Sequence, residues 1–301
     1  MNELIKIGEN TYYISGPFHV GVYNLGTENY AGKKEVCLID SGVDSVVAKV
    51  IDGLLIEAGF YVKYIINTHY HADHTGGNAY FQEKYKCGIY ATKLNAALIS
   101  NFDICPAIIW GATPIKEVLN NYFYATPADA VDIRELSMPQ GMEYVEFPGH
   151  CIGMIGVKTP DDIIFLGDAV VSRETIEKHP LSYIYEVGEY LESLEKLKKI
   201  KASLYIPYHA EPEKRIKSLC EANKNNVLDN IEIIKQICSE PRNIDEVISL
   251  FFNAKGHKLS MYKYAVEGGI IRTYITYLYN KGEMTAQNID NYIKWQVKQS
   301  I

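Results

Sequence analysis

Short apolar runs divided by polar turns open the chain, and "YYI" (12–14), "GVYNL" (21–25) and "VCLID" (36–40) predict the strands of one sheet. The spacing of apolar positions then lengthens. In "DSVVAKVIDGLLIEAG" (44–59) it is helical, with Asp44 or Ser45 as N-cap and Gly59 as stop. "VKYIINTH" (62–69) reads as a buried strand and runs straight into the polar stretch "NTHYHADHTGGN" (67–78). A helix over 78–85 and a strand over 88–91 follow.

Residues 93–142 are less regular, predicted helical, and rich in bulky rings: Trp110, Tyr122, Phe123 and Tyr124. Strand patterns return at 143–147, 154–158 and 162–168, then a helix over 186–200, a strand over 204–207 and a long helix over 212–238. Strands mixed with helices in two successive sets predict an α/β sandwich with helices outside two sheets. A composition shift at "SEPRN" (239–243) divides this part, residues 1–240, from a small helical appendage over 241–301. Its patterns are helices at 244–253, 260–267 and 269–281, a turn at Lys281-Gly282, and a last helix from about 286.

A hydrophobic content of 47% against 22% charged residues is enough for a substantial core and argues against disorder. The net charge of -7 runs against a partner that must be gripped by its phosphates, and the lysines of "SLEKLKKIKA" (193–202) fit the solvated side of a helix. Nucleic acid is therefore disfavoured. The opening "MNELIKIGEN" is polar, unlike the core of an export signal, and no apolar run approaches the ~20 residues that span a bilayer. The six cysteines are dispersed with no C-x-x-C pair. They read as reduced thiols, and the expected location is cytoplasmic, with no membrane partner.

The stretch at 67–78 carries the candidate chemistry. On its own, three histidines and an aspartate within six positions leave a metal site and an ordinary polar loop both open. The context sharpens the reading, because α/β proteins place their chemistry where apolar strands end. Imidazoles at 69 and 71 can point at one ion, while Asp73 and His74 face the other way and could serve a second. A zinc site needs at least about three protein ligands. Candidates stand at the exits of other strands: His150 after "YVEFPG", Asp168 after "DIIFLG" and His209 after "LYIPY", with Asp40 in "LIDSG" placed alike.

H-x-H-x-D-H, then "PGHCIG", "LGD" and "PYH" in this order resembles the metallo-β-lactamase-fold hydrolase superfamily over roughly residues 1–215, with a ligand set like that of glyoxalase II. The resemblance implies a four-layer αβ/βα sandwich with metals at the edge where two sheets meet. It assigns His69, His71 and His150 to a first metal and Asp73, His74 and His209 to a second, with Asp168 bridging both. Asp40 matches a position that orients the ligand loop, and with Asp73 it is counted in the catalytic machinery.

Aspartate rather than cysteine at 168 disfavours antibiotic hydrolysis, and histidine at 71 departs from the binuclear-iron flavoproteins of this fold. Two divalent ions, zinc first with iron or manganese as alternatives, imply a bridging hydroxide at neutral pH, since coordination lowers the pKa of water from about 15.7 to about 7. The expected activity is hydrolysis of a small thioester, lactone or related ester. A metal-dependent phosphodiesterase or nuclease and a single-iron persulfide dioxygenase are the alternatives.

Candidate substrate residues are His19 in "GPFHVGVYN", Trp110 and Tyr122 of a cap formed by 93–142, Arg173 five positions after Asp168, and Tyr183. Cys151 reads as a small buried thiol rather than a ligand. The tail resembles the winged-helix-like tail of some superfamily members, which implies packing against the catalytic part and shaping its entrance. Its pattern at 269–280 holds one arginine and no lysine, against a DNA-reading helix. A homodimer is a further expectation.

Overall fold

The computed structural model describes residues 2–120, 122–179 and 181–298. The first sheet takes its strands in chain order: β1 (Leu4–Lys6), β2 (Thr11–Ile14), β3 (Val20–Glu28), β4 (Lys34–Ile39), β5 (Phe60–Ile66), β6 (Gly88–Ala91) and β7 (Ala130–Asp132). Pairing is antiparallel through β4 and parallel from β4 to β7. The second sheet has the order β11-β10-β9-β8, from β8 (Glu143–Glu146), β9 (Ile155–Thr159), β10 (Ile163–Phe165) and β11 (Leu204–Ile206).

Side-chain alternation builds the layers. On β4, Val36 and Leu38 face α1 (Ser45–Glu57), whereas Cys37 and Ile39 face the second sheet. Lys63 is an extra residue between the pairs Val36↔Val62 and Cys37↔Tyr64, so Val62 packs under the helices while Tyr64 and Ile66 point between the sheets. There they meet Val157, Phe165 and Ile206 of the second sheet. Each such side chain, fully buried, contributes about 1.5–3 kcal/mol.

Asp44 caps α1 by accepting from the amides of Val46 and Val47. The first helical layer continues with α2 (Ala72–Thr75), α3 (Asn78–Tyr85), α4 (Lys93–Ser100) and α5 (Cys105–Trp110). On the far side lie α6 (Arg173–Lys178), α7 (Val187–Leu197) and α8 (Lys217–Ile237), then α9 (Ile244–Ala254) and α10 (Met261–Asn280). The α/β sandwich is thus as expected, with helices outside both sheets.

Several element expectations are corrected. Residues 93–142 are not wholly helical, since β7 closes the edge of the first sheet. The patterns 260–267 and 269–281 merge into α10, which buries Ile271, Tyr274 and Leu278 along one side and Ala265 on another. No helix starts near 286. The segment is a hairpin of β12 (Met284–Ile289) and β13 (Tyr292–Val297), turned at Asp290 and Asn291, both left-handed with φ of 53° and 62°. Two left-handed residues make the turn whose twist matches a two-residue hairpin, and asparagine and aspartate tolerate that conformation. Residues 299–301 of the expected appendage lie outside the described residues.

The tail does not stand apart. Ile248, Phe251, Ile271 and Tyr274 belong to one continuous core with Tyr190, Leu194, Val227 and Ile231.

Candidate metal centre

β5 ends at Ile66, and the chain turns through Thr68 to His71 before α2 carries Asp73 and His74. Asp40 leaves β4 in the left-handed region at φ 63° and governs this turn. Its Oδ1 accepts from the Thr68 amide at 2.8 Å, and its Oδ2 accepts from the Thr68 hydroxyl at 2.8 Å and from His74 Nδ1 at 2.8 Å. Only glycine fits at 76, where a Cβ would lie 2.0 Å from the Val43 carbonyl oxygen. The loop after β4 therefore packs directly on the ligand turn.

These bonds assign the imidazole protons. His74 gives its Nδ1 proton to Asp40, so Nε2 is the nitrogen turned toward the site. The Thr68 hydroxyl, having donated to Asp40, accepts from His69 Nδ1 at 3.1 Å and leaves His69 Nε2 turned inward. His150 Nδ1 donates to the Tyr183 carbonyl at 2.9 Å, again leaving Nε2. His69 Nε2 and His150 Nε2 stand 2.9 and 3.0 Å from His71 Nδ1.

A second lobe adjoins this one. His209 Nε2 is 2.9 Å from Asp73 Oδ2, and His74 Nε2 is 3.7 Å from the same oxygen. Asp168 lies between the lobes: Oδ1 is 3.4 Å from His74 Nε2 and 3.8 Å from His209 Nε2, while Oδ2 is 3.5 Å from His150 Nε2. His69, His71 and His150 form one group of ligand atoms within 4.8 Å of one another, and Asp73, His74 and His209 form another.

Burial first, then the neighbouring imidazoles, hold His69 well below its ordinary pKa; burial likewise brings His71 to about 3 and lowers His150. The first lobe thus presents neutral imidazoles, the ligand form. In the second lobe burial also disfavours charge, but Asp73, Asp168 and Asp40 outweigh it and raise His74 well above its usual value. Asp168 and Asp73 similarly raise His209. That lobe draws positive charge.

His74 Nε2 and Asp168 Oδ1 are buried 3.4 Å apart, neither with a well-aligned hydrogen bond among the described residues. A ring nitrogen and a carboxylate oxygen left so are costly unless a cation lies between them. The nitrogen and oxygen donors suit zinc and also accept iron or manganese. The residues present fit a divalent metal pair.

Three supporting residues carried no separate signal in the sequence. Tyr208 stacks on His74 at 3.7 Å between ring centroids and donates to the Asp73 carbonyl at 2.6 Å. Thr68 links Asp40 to His69, and Asn95 accepts from the Tyr70 amide at 2.9 Å while donating to the Ile152 carbonyl. Tyr208 adjoins a ligand, the one hint available. Thr68 and Asn95 depend on contacts between distant segments.

A cavity of about 210 Å³ opens over His71, Asp73, His150 and Asp168. Tyr122 and Tyr183 line it, and the Tyr183 ring stands edge-on to His71 at 4.9 Å. Trp110 is not among its lining residues; it packs beside Val118, Ala265 and Val266 where α5 meets α10. Arg173 is turned to Ser218, donating to its carbonyl at 2.9 Å and its hydroxyl at 2.7 Å. His19 sits behind the His209 turn, with Nδ1 3.1 Å from the Pro207 carbonyl. Cys151 is buried, with its thiol 4.0 Å from Asn95 Oδ1.

Residues 30–209 match the family model described as the Metallo-beta-lactamase superfamily. A hydroxyacylglutathione hydrolase of Pelagibacter ubique (strain HTCC1062) is 35% identical over 72 residues, 24% of this chain and 28% of that protein. The match thus spans little more than a quarter of that relative's length. A probable metallo-hydrolase of Methanocaldococcus jannaschii is 26% identical over 153 residues, 49% of this chain and 69% of that protein. The crystal structure of a beta-lactamase domain protein from Burkholderia ambifaria superposes with a TM-score of 0.73 at 16% identity, covering 98% of this chain and 93% of that one.

Proposed function

Because the chain belongs to the metallo-β-lactamase superfamily, we propose that it is a hydrolase of a small thioester, lactone or related ester, working with two divalent ions, zinc first. The observation that carries this reading is the pair of buried, unpartnered atoms, His74 Nε2 and Asp168 Oδ1, at the meeting of two three-residue lobes. The name of the Pelagibacter relative supports the thioester class. Divalent ions bound there would supply Lewis acidity toward a carbonyl oxygen and bring water to its deprotonated form near neutral pH.

The chain's own groups do the rest. Asp40, Thr68 and the Tyr183 carbonyl accept protons from the outward nitrogens of His74, His69 and His150, so the Nε2 atoms are the ones turned inward. Asp168 turns one oxygen to each lobe. Asp73 Oδ2, 2.9 Å from His209 Nε2 at the cavity floor, would hold the second ion together with that imidazole and His74. The ring of Tyr208 stacks on His74 and covers one of its faces.

Among the described residues no helix is long and apolar enough to cross a membrane. A cytoplasmic location is part of the proposal, and six free, buried cysteines accord with it. The test is elemental analysis of protein purified without added metal, followed by turnover of esters and thioesters. About two metals per chain and loss of turnover in His71→Ala are expected, in line with two ligand lobes; full activity in that variant would refute the reading.

A further inference from the structure

The cavity over the metal-facing groups has a distinct chemistry. Its floor is His71, Asp73, His150 and Asp168, and its walls are apolar or aromatic. Phe102, Cys105 and Ile109 come from the segment around α5, Tyr122 and Phe123 from the chain that follows it, and Tyr262 and Val266 from α10. Phe123 and Tyr262 meet across the two segments with ring centroids 5.6 Å apart. Behind them Val118, Ala265 and Val266 form a small buried core, so the wall is backed by packed side chains. Burial pushes the Cys105 thiol up to about 12, which keeps it neutral.

Among the described lining residues there is no lysine and no arginine, and the carboxylates are those of Asp73 and Asp168. A carboxylate or phosphate held against these walls would lose its water and find no lysine or arginine there to pair with. A neutral ring or short alkyl chain would replace water against Phe102, Ile109 and Val266. The volume of about 210 Å³ lies below the ~300–1,000 Å³ of sites that hold drug-sized ligands. The group enclosed is small.

Resting on the hydrolase reading, we propose that the substrate presents a compact, uncharged acyl group, aromatic or aliphatic, and that Phe123 and Tyr262 determine this preference. Tyr122 and Tyr262 stand at the rim, 66% and 37% exposed. A charged leaving group, such as a glutathione with its free carboxylates, would lie outside them in water. The tail thereby selects the acyl group, since Tyr262 and Val266 complete the wall that the segment around α5 begins.

The test compares 4-nitrophenyl phenylacetate with the same ester bearing a 4-carboxylate on the acyl ring, using the metal-loaded full chain. kcat/KM for the neutral ester should exceed that for the carboxylated one at least about tenfold, because the added charge is desolvated without a partner. Tyr262→Lys, at an exposed rim position, should reduce that ratio at least about fivefold by supplying the missing cation. Phe123→Ala should raise KM for the phenylacetyl ester more than for the acetyl ester.

Calorimetric binding of phenylacetamide and 4-carboxyphenylacetamide gives a readout independent of turnover, with the neutral amide expected to bind more tightly. Equal handling of the two members in either pair would overturn the inference. Absence of hydrolysis with every ester and thioester would instead remove the hydrolase reading, and the amide pair would still decide what the cavity accepts.

Discussion

Asp40 and His74 are joined by a 2.8 Å hydrogen bond from Nδ1 to Oδ2, and the same carboxylate holds the Thr68 amide and hydroxyl. One buried side chain therefore sets both the ring orientation of a candidate ligand and the path of the turn that carries it. Asp40→Asn keeps the volume and removes the charge. Metal affinity is expected to fall about 10–100-fold, the usual effect of losing such a partner. Competition against a chelator, with circular dichroism to verify the fold, measures it.

Metal removal should destabilise the folded chain. Each site stabilises by about 2.7 kcal/mol when free metal stands at 100 times its Kd. A chelator should lower Tm, and restoring zinc should recover it; an unchanged Tm would speak against ions held by the folded state.

Two glycines make opposite predictions. Gly76→Ala drives a Cβ to 2.0 Å from a backbone oxygen and should cost more than about 3 kcal/mol, with loss of metal binding. Gly53 lies within α1, and a Cβ there would meet nothing within 4 Å, so Gly53→Ala should stabilise by roughly 0.5–1 kcal/mol. Urea denaturation of both variants decides.

Asp52 accepts from Tyr80 at 2.7 Å and also from Lys84 and Tyr85. Burial pushes its pKa up, but Lys84 and the two tyrosines outweigh that, and the carboxyl stays below its ordinary value. A depressed carboxyl stabilises fully above the unfolded-state pKa of about 3.9 and loses that contribution as pH falls through the folded value. The destabilisation caused by Asp52→Asn should be largest near neutral pH and shrink progressively below about pH 4. Denaturant titrations across that window test the trend.

The tail shares its core with the rest of the chain, so Ile271→Ala, at a site 0% exposed, should cost about 2–5 kcal/mol. Thermal unfolding should remain one transition at a lower Tm. Separate melting of residues 241–301 would contradict the shared core.

Much of the candidate site is legible in the sequence because four of the candidate ligands close a recognisable strand: His69 follows β5, His150 follows β8, Asp168 follows β10 and His209 follows β11. A polar residue after an apolar run is a local signal. Nearness along the chain is a poorer guide. Arg173 lies five residues from Asp168, yet Ser172 caps α6 and that helix carries the guanidinium to Ser218. Trp110 sits in the right segment, but α10 covers it. The final hairpin is hard to read because "MTAQNIDNYIKWQV" follows a long helix, and its period-two alternation is obscured by polar residues at exposed positions. Thr68, Asn95 and Tyr208 act through partners far away in sequence, which spacing cannot reveal.

Each lobe draws on both sheets: His69 and His71 need His150, and Asp73 and His74 need His209. The first sheet can assemble without either lobe being complete. During synthesis, residues 69–74 emerge long before 150 and longer still before 209. On the metal reading proposed above, a growing chain would hold an unfinished chelate until its second sheet has closed against the first, and metal uptake would be a late event in maturation.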